Sequence, residues 1–248
     1  MKTHIKLFAL LFLASLIFGC KSGQESGTSS STDSTENSTV SYAVCIWDKA
    51  SLRDNPEEKG KWLASLSLGE KCTYLDEEKE DNSGTKPVKY YKLKLQDGKE
   101  GWVNSDLVVL NSTPAAFIQD ADIYSRPDLL TKTGKSFSKM DIVAVISTQN
   151  DFVEVKGKRK DGKWIESGWV KPSNLSYKDV DIAVAKFACK ALAIEDAAER
   201  TKAINDIIDN SDLQESVFID QLKGIVNADQ EMDMEMETET NPADTAGI

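Results

Sequence analysis

The sequence predicts a mainly β protein with an α-helical C-terminal segment: two small β-barrels in tandem, then two or three helices. Three observations predict it. A series of blocks recurs in the same order, the first of them at an offset of 71 residues, apolar residues inside each copy alternate at period two between polar turns, and from Tyr177 the apolar period changes to three and four. A chain of 248 residues suits several small cores better than one large core.

The first element is an export signal. Lys2 and Lys6 precede an apolar run from Leu7 to Phe18, and Gly19-Cys20 follows. A basic start, an apolar stretch of about a dozen residues and a small residue before the cut make a secretory signal peptide over 1–19. The run is too short for a permanent membrane span. Ser15-Leu16-Ile17-Phe18-Gly19-Cys20 resembles the lipobox of bacterial lipoproteins, although Ile17 stands where Leu is usual and Phe18 where a small residue is usual. The resemblance implies lipidation at Cys20 and a partner in the membrane, reached through the lipid anchor. Lys21 directly after the cysteine resembles lipoproteins sorted to the outer membrane of a Gram-negative envelope.

Residues 20–41 are almost wholly Ser, Thr, Gly and acidic, with no large apolar side chain before Val40. Such a segment buries too little surface to offset its chain entropy. It reads as a flexible tether with a reach of roughly 25–30 Å.

The two barrels are expected over 42–110 and 111–176. Ala50-Ser-Leu52-Arg53-Asp-Asn-Pro56 matches Ala121-Asp-Ile123-Tyr124-Ser-Arg-Pro127, and Glu70-Lys-Cys72 matches Asp141-Ile-Val143. Tyr90-Tyr91-Lys92-Leu93 then matches Phe152-Val153-Glu154-Val155. Asp97-Gly98 and Asp161-Gly162 are hairpin signals, and each copy closes on Gly-Trp-Val, at 101–103 and 168–170. A unit this small escapes its unpaired edges by curling.

These blocks resemble bacterial SH3-like (SH3b) domains. The first copy carries Leu52, Arg53, Pro56, Gly69-Glu70, the Tyr90 to Leu93 strand and Gly101-Trp102-Val103; it departs at Ser51, where Asn is usual. The second has Tyr124 where Arg is usual and no glycine in its Lys139-Met140 turn. The resemblance implies SH3-like barrels and binding rather than chemistry, with peptidoglycan or another envelope glycan as the partner.

Within the barrels Trp102 and Trp169 are expected to fill the two cores. Trp47 and Trp62 lack aromatic counterparts in the second copy and are candidate ligand platforms, since a ring offers contact area at low entropic cost. Arg53, Tyr90 and Phe152 complete the candidate ligand-binding set. The basic tip from Lys156 to Lys163 reads as a solvated hairpin.

Composition excludes several chemistries. The only histidine, His4, lies in the segment expected to be removed, which leaves no His-ligated zinc hydrolase, Ser-His-Asp triad or Cys-His peptidase. No metal-ligand spacing occurs and no cofactor is implied, so the chain is read as a non-enzyme. The region 111–176 has 10 basic and 8 acidic residues, too even a balance for nucleic acid. Cys45 and Cys72 fall in one barrel, either bridged or buried as free thiols; a uniform offset pairs them with Ala116 and Val143 of the second copy.

The segment 177–227 is expected to be helical. Val180, Ala183, Val184, Phe187, Ala188, Ala191 and Leu192 form one helical stripe, and Ala197, Ala198, Ile204, Ile207 and Ile208 a second. A third helix is expected to be capped by Ser211 with Gln214, its inward residues Val217, Phe218, Leu222 and Ile225. The helices should pack on the second barrel or on another subunit. Residues 177–248 hold 6 basic and 17 acidic residues, and 228–248 reads as a disordered acidic tail. The function expected is a non-catalytic lipoprotein of the cell envelope that binds a cell-wall glycan or an envelope protein. The alternative is a scaffold whose helical segment docks a partner protein.

Overall fold

Alternating side chains build seven short strands in the first module: β1 (Tyr42–Cys45), β2 (Ala50–Arg53), β3 (Trp62–Leu66), β4 (Lys71–Asp81), β5 (Val88–Lys94), β6 (Glu100–Asn104) and β7 (Val108–Leu110). The computed structural model describes residues 41–160 and 162–239, with side chains to 229. The signal peptide, Cys20, the tether before Ser41, Asp161 of the second hairpin turn and residues 240–248 lie outside the described residues.

The seven strands form one antiparallel sheet in the order β3-β2-β6-β5-β4-β1-β7. Leu66 from one edge strand and Val108 from the other meet Ala43, Leu52, Cys72, Leu93 and Val103 in a single core. The sheet is therefore curled into a barrel. The second module repeats it with β8 (Thr113–Phe117), β9 (Ala121–Tyr124), β10 (Lys132–Phe137), β11 (Ile142–Gln149), β12 (Phe152–Lys158), β13 (Ile165–Val170) and β14 (Leu175–Ser176). Its order, β10-β9-β13-β12-β11-β8-β14, is the same arrangement strand for strand. The second core adds a stacked ring pair, Phe117 on Phe137, with centroids 4.9 Å apart.

The ladders correct the uniform offset. Cys45 lies opposite Val108 as Phe117 lies opposite Leu175. Cys45 N donates to Glu70 O as Phe117 N donates to Asp141 O. Cys45 thus corresponds to Phe117, not Ala116. Asp48 and Asp120 both accept an amide from the equivalent turn, which makes Lys49, at φ 59°, the inserted residue.

Both glycine-tryptophan-valine blocks are also corrected. The pleat alternates, and Gly101 and Val103 take the inner positions: a Cβ on Gly101 would lie 2.6 Å from Arg53 O and 2.8 Å from Leu52 Cγ. Gly168 is likewise inward, where an added Cβ would lie 2.4 Å from Ile123 Cγ2. Trp102 and Trp169 consequently point outward. Trp102 is covered by neighbours, and Trp169 is half-buried.

Three helices follow: α1 (Asp179–Leu192), α2 (Ala197–Ile208) and α3 (Ile219–Glu239). Their core includes Ala116, Met140 and Ile142, so they pack on the second barrel. The buried face of α1 carries Asp181, Ile182, Val184, Ala185, Ala188 and Ala191. It is rotated from the expected stripe and leaves Phe187 42% exposed. On α2, Ala197 and Ala198 are exposed. Ser211 starts a single 3-10 turn to Leu213 rather than the third helix, and Asn210 caps it by accepting from Asp212 N. Gln214 donates to Ile208 O and Asn210 O instead of completing a capping box. Val217 is exposed, while Phe218 and Leu222 are buried. The helix α3 runs on to Glu239, well into the segment 228–248 expected to have no structure. No helix among the described residues is long and apolar enough to cross a membrane.

Candidate functional site

The outer face of the first barrel is assembled by strand register. Trp62 on β3 lies opposite Arg53 on β2, Arg53 opposite Trp102 on β6, and Trp102 opposite Lys92 on β5. Directly opposed residues share one face, so four strands present one row, Trp62–Arg53–Trp102–Lys92. A register shift between Leu52 and Arg53 sets Trp62, rather than Leu63, beside Arg53.

Each member of the row has a defined role. Trp62 stands 59% exposed at the sheet edge, its Nε1 donating to Ser65 Oγ at 3.2 Å. Arg53 Nη1 donates to Gly60 O at 2.7 Å, which ties the loop 54–61 to the face. Lys79 and Lys92 hold their ammonium groups 5.3 and 6.0 Å from the Trp102 ring centroid, within cation–π range. Lys92 also pairs with Glu77 at 2.6 Å, and that hydrogen bond raises its pKa.

Tyr90 borders the row, outward on β5 opposite Asn104. Burial pushes its phenol up, the charge of Asp81 adds to this, and Arg53 acts in the opposite sense. Asp81 is held low by Ser83, first through its side chain and then its amide. The face therefore offers a flat exposed indole, a guanidinium with donors to spare and a rim of lysines against acids. Such a surface suits a sugar ring carrying amide, hydroxyl or carboxylate groups.

The equivalent row in the second barrel is Lys132–Tyr124–Trp169–Glu154–Ser147. The edge indole has become lysine, and the arginine tyrosine. Phe152 is buried here, edge-on to Tyr124 at 5.2 Å and beneath Lys171 Nζ at 3.8 Å. Of the predicted residues, Trp62, Arg53 and Tyr90 come together, whereas Phe152 belongs to the other barrel. Sequence reasoning misses Trp102, because it assigns a large apolar residue in a barrel strand to the core. The inward glycine beside it is the available signal.

Trp47 lies elsewhere, where the modules meet. Lys158 of the second barrel sits 4.8 Å over its ring, and the neighbouring Asp48 is 3.9 Å from Lys190 of α1. The basic tip is not a free hairpin either. Arg159 reaches Ser136 O and Glu166, and Lys160 N donates to Asp141 Oδ1. Val44 and Ile46 pack with Ala144 across the same junction.

Cys45 and Cys72 are free and buried. Cys45 lies across from Glu70, whereas Cys72 lies opposite Ala43. That diagonal relation spans about 7–8 Å between Cα atoms, beyond disulfide reach. Burial pushes both thiols up to about 12, so they are neutral and poor nucleophiles. Among the described residues, no group of three His, Cys, Asp or Glu side chains is placed to hold a metal ion.

Residues 48–109 match the family model of the bacterial SH3 domain. This bacterial SH3 domain contains Arg53, Trp62, Tyr90, Lys92 and Trp102, the whole candidate face. Among solved structures the chain is similar to NlpC2 from Trichomonas vaginalis, at 12% identity and TM-score 0.24, covering 68% of this chain and 56% of that one. NlpC1 from Trichomonas vaginalis follows at 11% identity and TM-score 0.24, covering 68% and 52%. The structure of the endolysin LysPBC5 CBD covers 55% of this chain and 93% of its own, at 12% identity and TM-score 0.21. The chain thus spans a little over half the length of the first two. No curated protein matches it.

Proposed function

We propose that the chain is a non-catalytic lipoprotein of the cell envelope, anchored through Cys20, whose first barrel binds a cell-wall glycan. The observation that carries the reading is the Trp62–Arg53–Trp102 row inside the bacterial SH3 domain. An exposed indole beside a guanidinium stacks on a sugar face while donating to its polar substituents. The second barrel has replaced both the edge indole and the arginine, so it does not share that ligand.

The test is sedimentation of residues 39–248 with purified peptidoglycan at low and moderate salt. Wild type binds at both salts, and Trp62→Ala reduces binding about tenfold or more, the scale of a central aromatic contact. Trp47→Ala leaves it unchanged, because Trp47 sits at the junction. Failure of the wild type to bind overturns the glycan reading. That outcome would favour the scaffold reading, with an envelope protein seated in the groove between α1 and α2, which Phe187, Ile194, Ile207 and Leu213 line.

A further inference from the structure

Two rows of side chains lie next to each other on the outer face of the first barrel. Beside Trp62–Arg53–Trp102–Lys92 runs Lys79–Tyr90–Asn104, set by the pairing of Lys79 with Tyr90 and of Tyr90 with Asn104. What this face can offer a ligand follows from which of its polar atoms the fold has already engaged.

The carboxylate and carboxamide oxygens beside the rows are turned to protein donors. Asn104 Oδ1 accepts from Asp106 N at 2.9 Å, which leaves the amino group as the free end of that side chain. Glu77 is held by Lys92. Asp81 Oδ1 accepts from Ser83 N at 2.9 Å, and Asp54 Oδ1 accepts from Lys61 N at 2.7 Å within its own loop. Glu78 and Glu80 lie opposite Tyr91 and Lys89, on the other side of the pleat from Lys79 and Tyr90. The cationic donors are less occupied. Arg53 uses only Nη1, on Gly60 O at 2.7 Å, and Lys79 has the Trp102 ring, 5.3 Å from its ammonium. Neither makes a further hydrogen bond among the described residues. At contact range the face is a surface of N–H donors.

The longer-range charges are mixed. Arg53 and Lys79 stand against Asp81, Glu58 and Glu57, whose charges all reach Tyr90. A substituent that is itself an ion, of either sign, meets like charge here and gives up its hydration. A neutral carbonyl avoids both conflicts and still accepts from the open donors. Carried on an amide, it also brings a small apolar group against the exposed Trp62 indole. We propose that the first barrel selects glycans of N-acylated aminosugars, through an amide carbonyl that accepts from Arg53. This rests on the glycan reading of the face and names the substituent that the face recognises.

Three β-1,4-linked hexamers that differ only at C2 of each sugar test the selection: N-acetylglucosamine with an acetamido group, glucosamine with an amino group and glucose with a hydroxyl. Each is titrated by calorimetry, at moderate salt, into residues 39–248, which hold both barrels and the helices. The N-acetylated hexamer is expected to bind about tenfold tighter than either of the others, the scale of one hydrogen bond to a charged group. Arg53→Gln should shrink that preference to about twofold, while Trp62→Ala weakens every hexamer that binds, both with unchanged circular dichroism. Equal affinities in the wild type, or tighter binding of the amino hexamer, overturn the selection and leave the glycan reading standing. So does a wild type that sediments with peptidoglycan but does not bind the N-acetylated hexamer. A wild type that neither sediments with peptidoglycan nor binds any hexamer removes the glycan reading and the selection together.

Discussion

Gly69 of the first barrel packs against Ile142 of the second: a Cβ at position 69 would stand 3.0 Å from Ile142 Cγ2 and 3.3 Å from Ile182 Cγ2 of α1. One residue without a side chain thus meets the second barrel and the helices at once. Its backbone is left-handed, at φ +77°, and Met140 holds the same turn position in the second copy at φ 71°. Met140 can spend its side chain in the helical core, where Gly69 has no room for one.

Gly69→Ala is therefore expected to cost about 2–3 kcal/mol, adding overpacking to the left-handed penalty. Gly98 provides the comparison, since its φ is +85° with nothing within 4 Å of an added methyl. Gly98→Ala should cost only about 1 kcal/mol. Urea unfolding of both variants checks this, and equal losses would show that the junction at Gly69 carries no energy.

Asp181 is fully buried and joins three elements. It accepts from Ser176 Oγ of β14, from Ser216 Oγ at 2.8 Å and from Val217 N at 2.9 Å. It also lies in the first turn of α1, where a negative charge is favoured by the helix dipole. Asp181→Ala strands two hydroxyls and an amide, and should cost about 3–5 kcal/mol by the scale for a broken buried network. Asp181→Asn, which keeps one acceptor oxygen, should lose less. Denaturant melts that rank the two the other way would contradict the hub.

The two barrels are legible because period-two alternation, Asp-Gly turns and repeated blocks all encode the same strands. What escapes the sequence is set by tertiary contact. Trp102 reads as inward because large apolar residues usually are; the space that decides it, taken by Arg53 O and Leu52 against Gly101, appears only once β2 crosses β6. The α1 face reads wrongly because Asp181, a charge, is not counted in an apolar stripe, yet its three donors rotate that stripe toward Ile182 and Ala185. The single-residue insertion at Lys49 is hidden because the 71-residue offset is anchored on blocks that all follow it, Ala50 and Glu70 onward. The Trp62–Arg53 neighbourhood depends on a bulge, which leaves no compositional trace.

Gly101→Ala tests the inward assignment directly. The obstruction is backbone, at 2.6 Å, so it cannot be relieved by a rotamer change. The variant should lose about 3 kcal/mol or more, and its remaining folded fraction should bind glycan poorly because Arg53 and Trp102 are pushed apart. A stable Gly101→Ala barrel would return Trp102 to the interior.

The thiols of Cys45 and Cys72 give the first barrel an alkaline weakness. In the unfolded chain each ionises near the ordinary thiol value of 9.0, whereas burial holds each up to about 12 in the fold. Above pH 9 the unfolded state therefore binds fewer protons than the native state, and stability falls as pH rises toward 12. The slope approaches about 1.4 kcal/mol per pH unit for each thiol. Below pH 9 both states are protonated and the thiols contribute no pH dependence. Cys72→Val borrows the residue of the second barrel, Val143, and Cys45→Ala avoids the larger Phe117 that this core has no ring partner to receive. The double variant should lose about 1–2 kcal/mol at neutral pH from the vacated space and show a much shallower decline between pH 9 and 11. Urea midpoints measured across that range decide the matter: parallel declines in wild type and variant would mean that the two thiols ionise as readily in the fold as out of it.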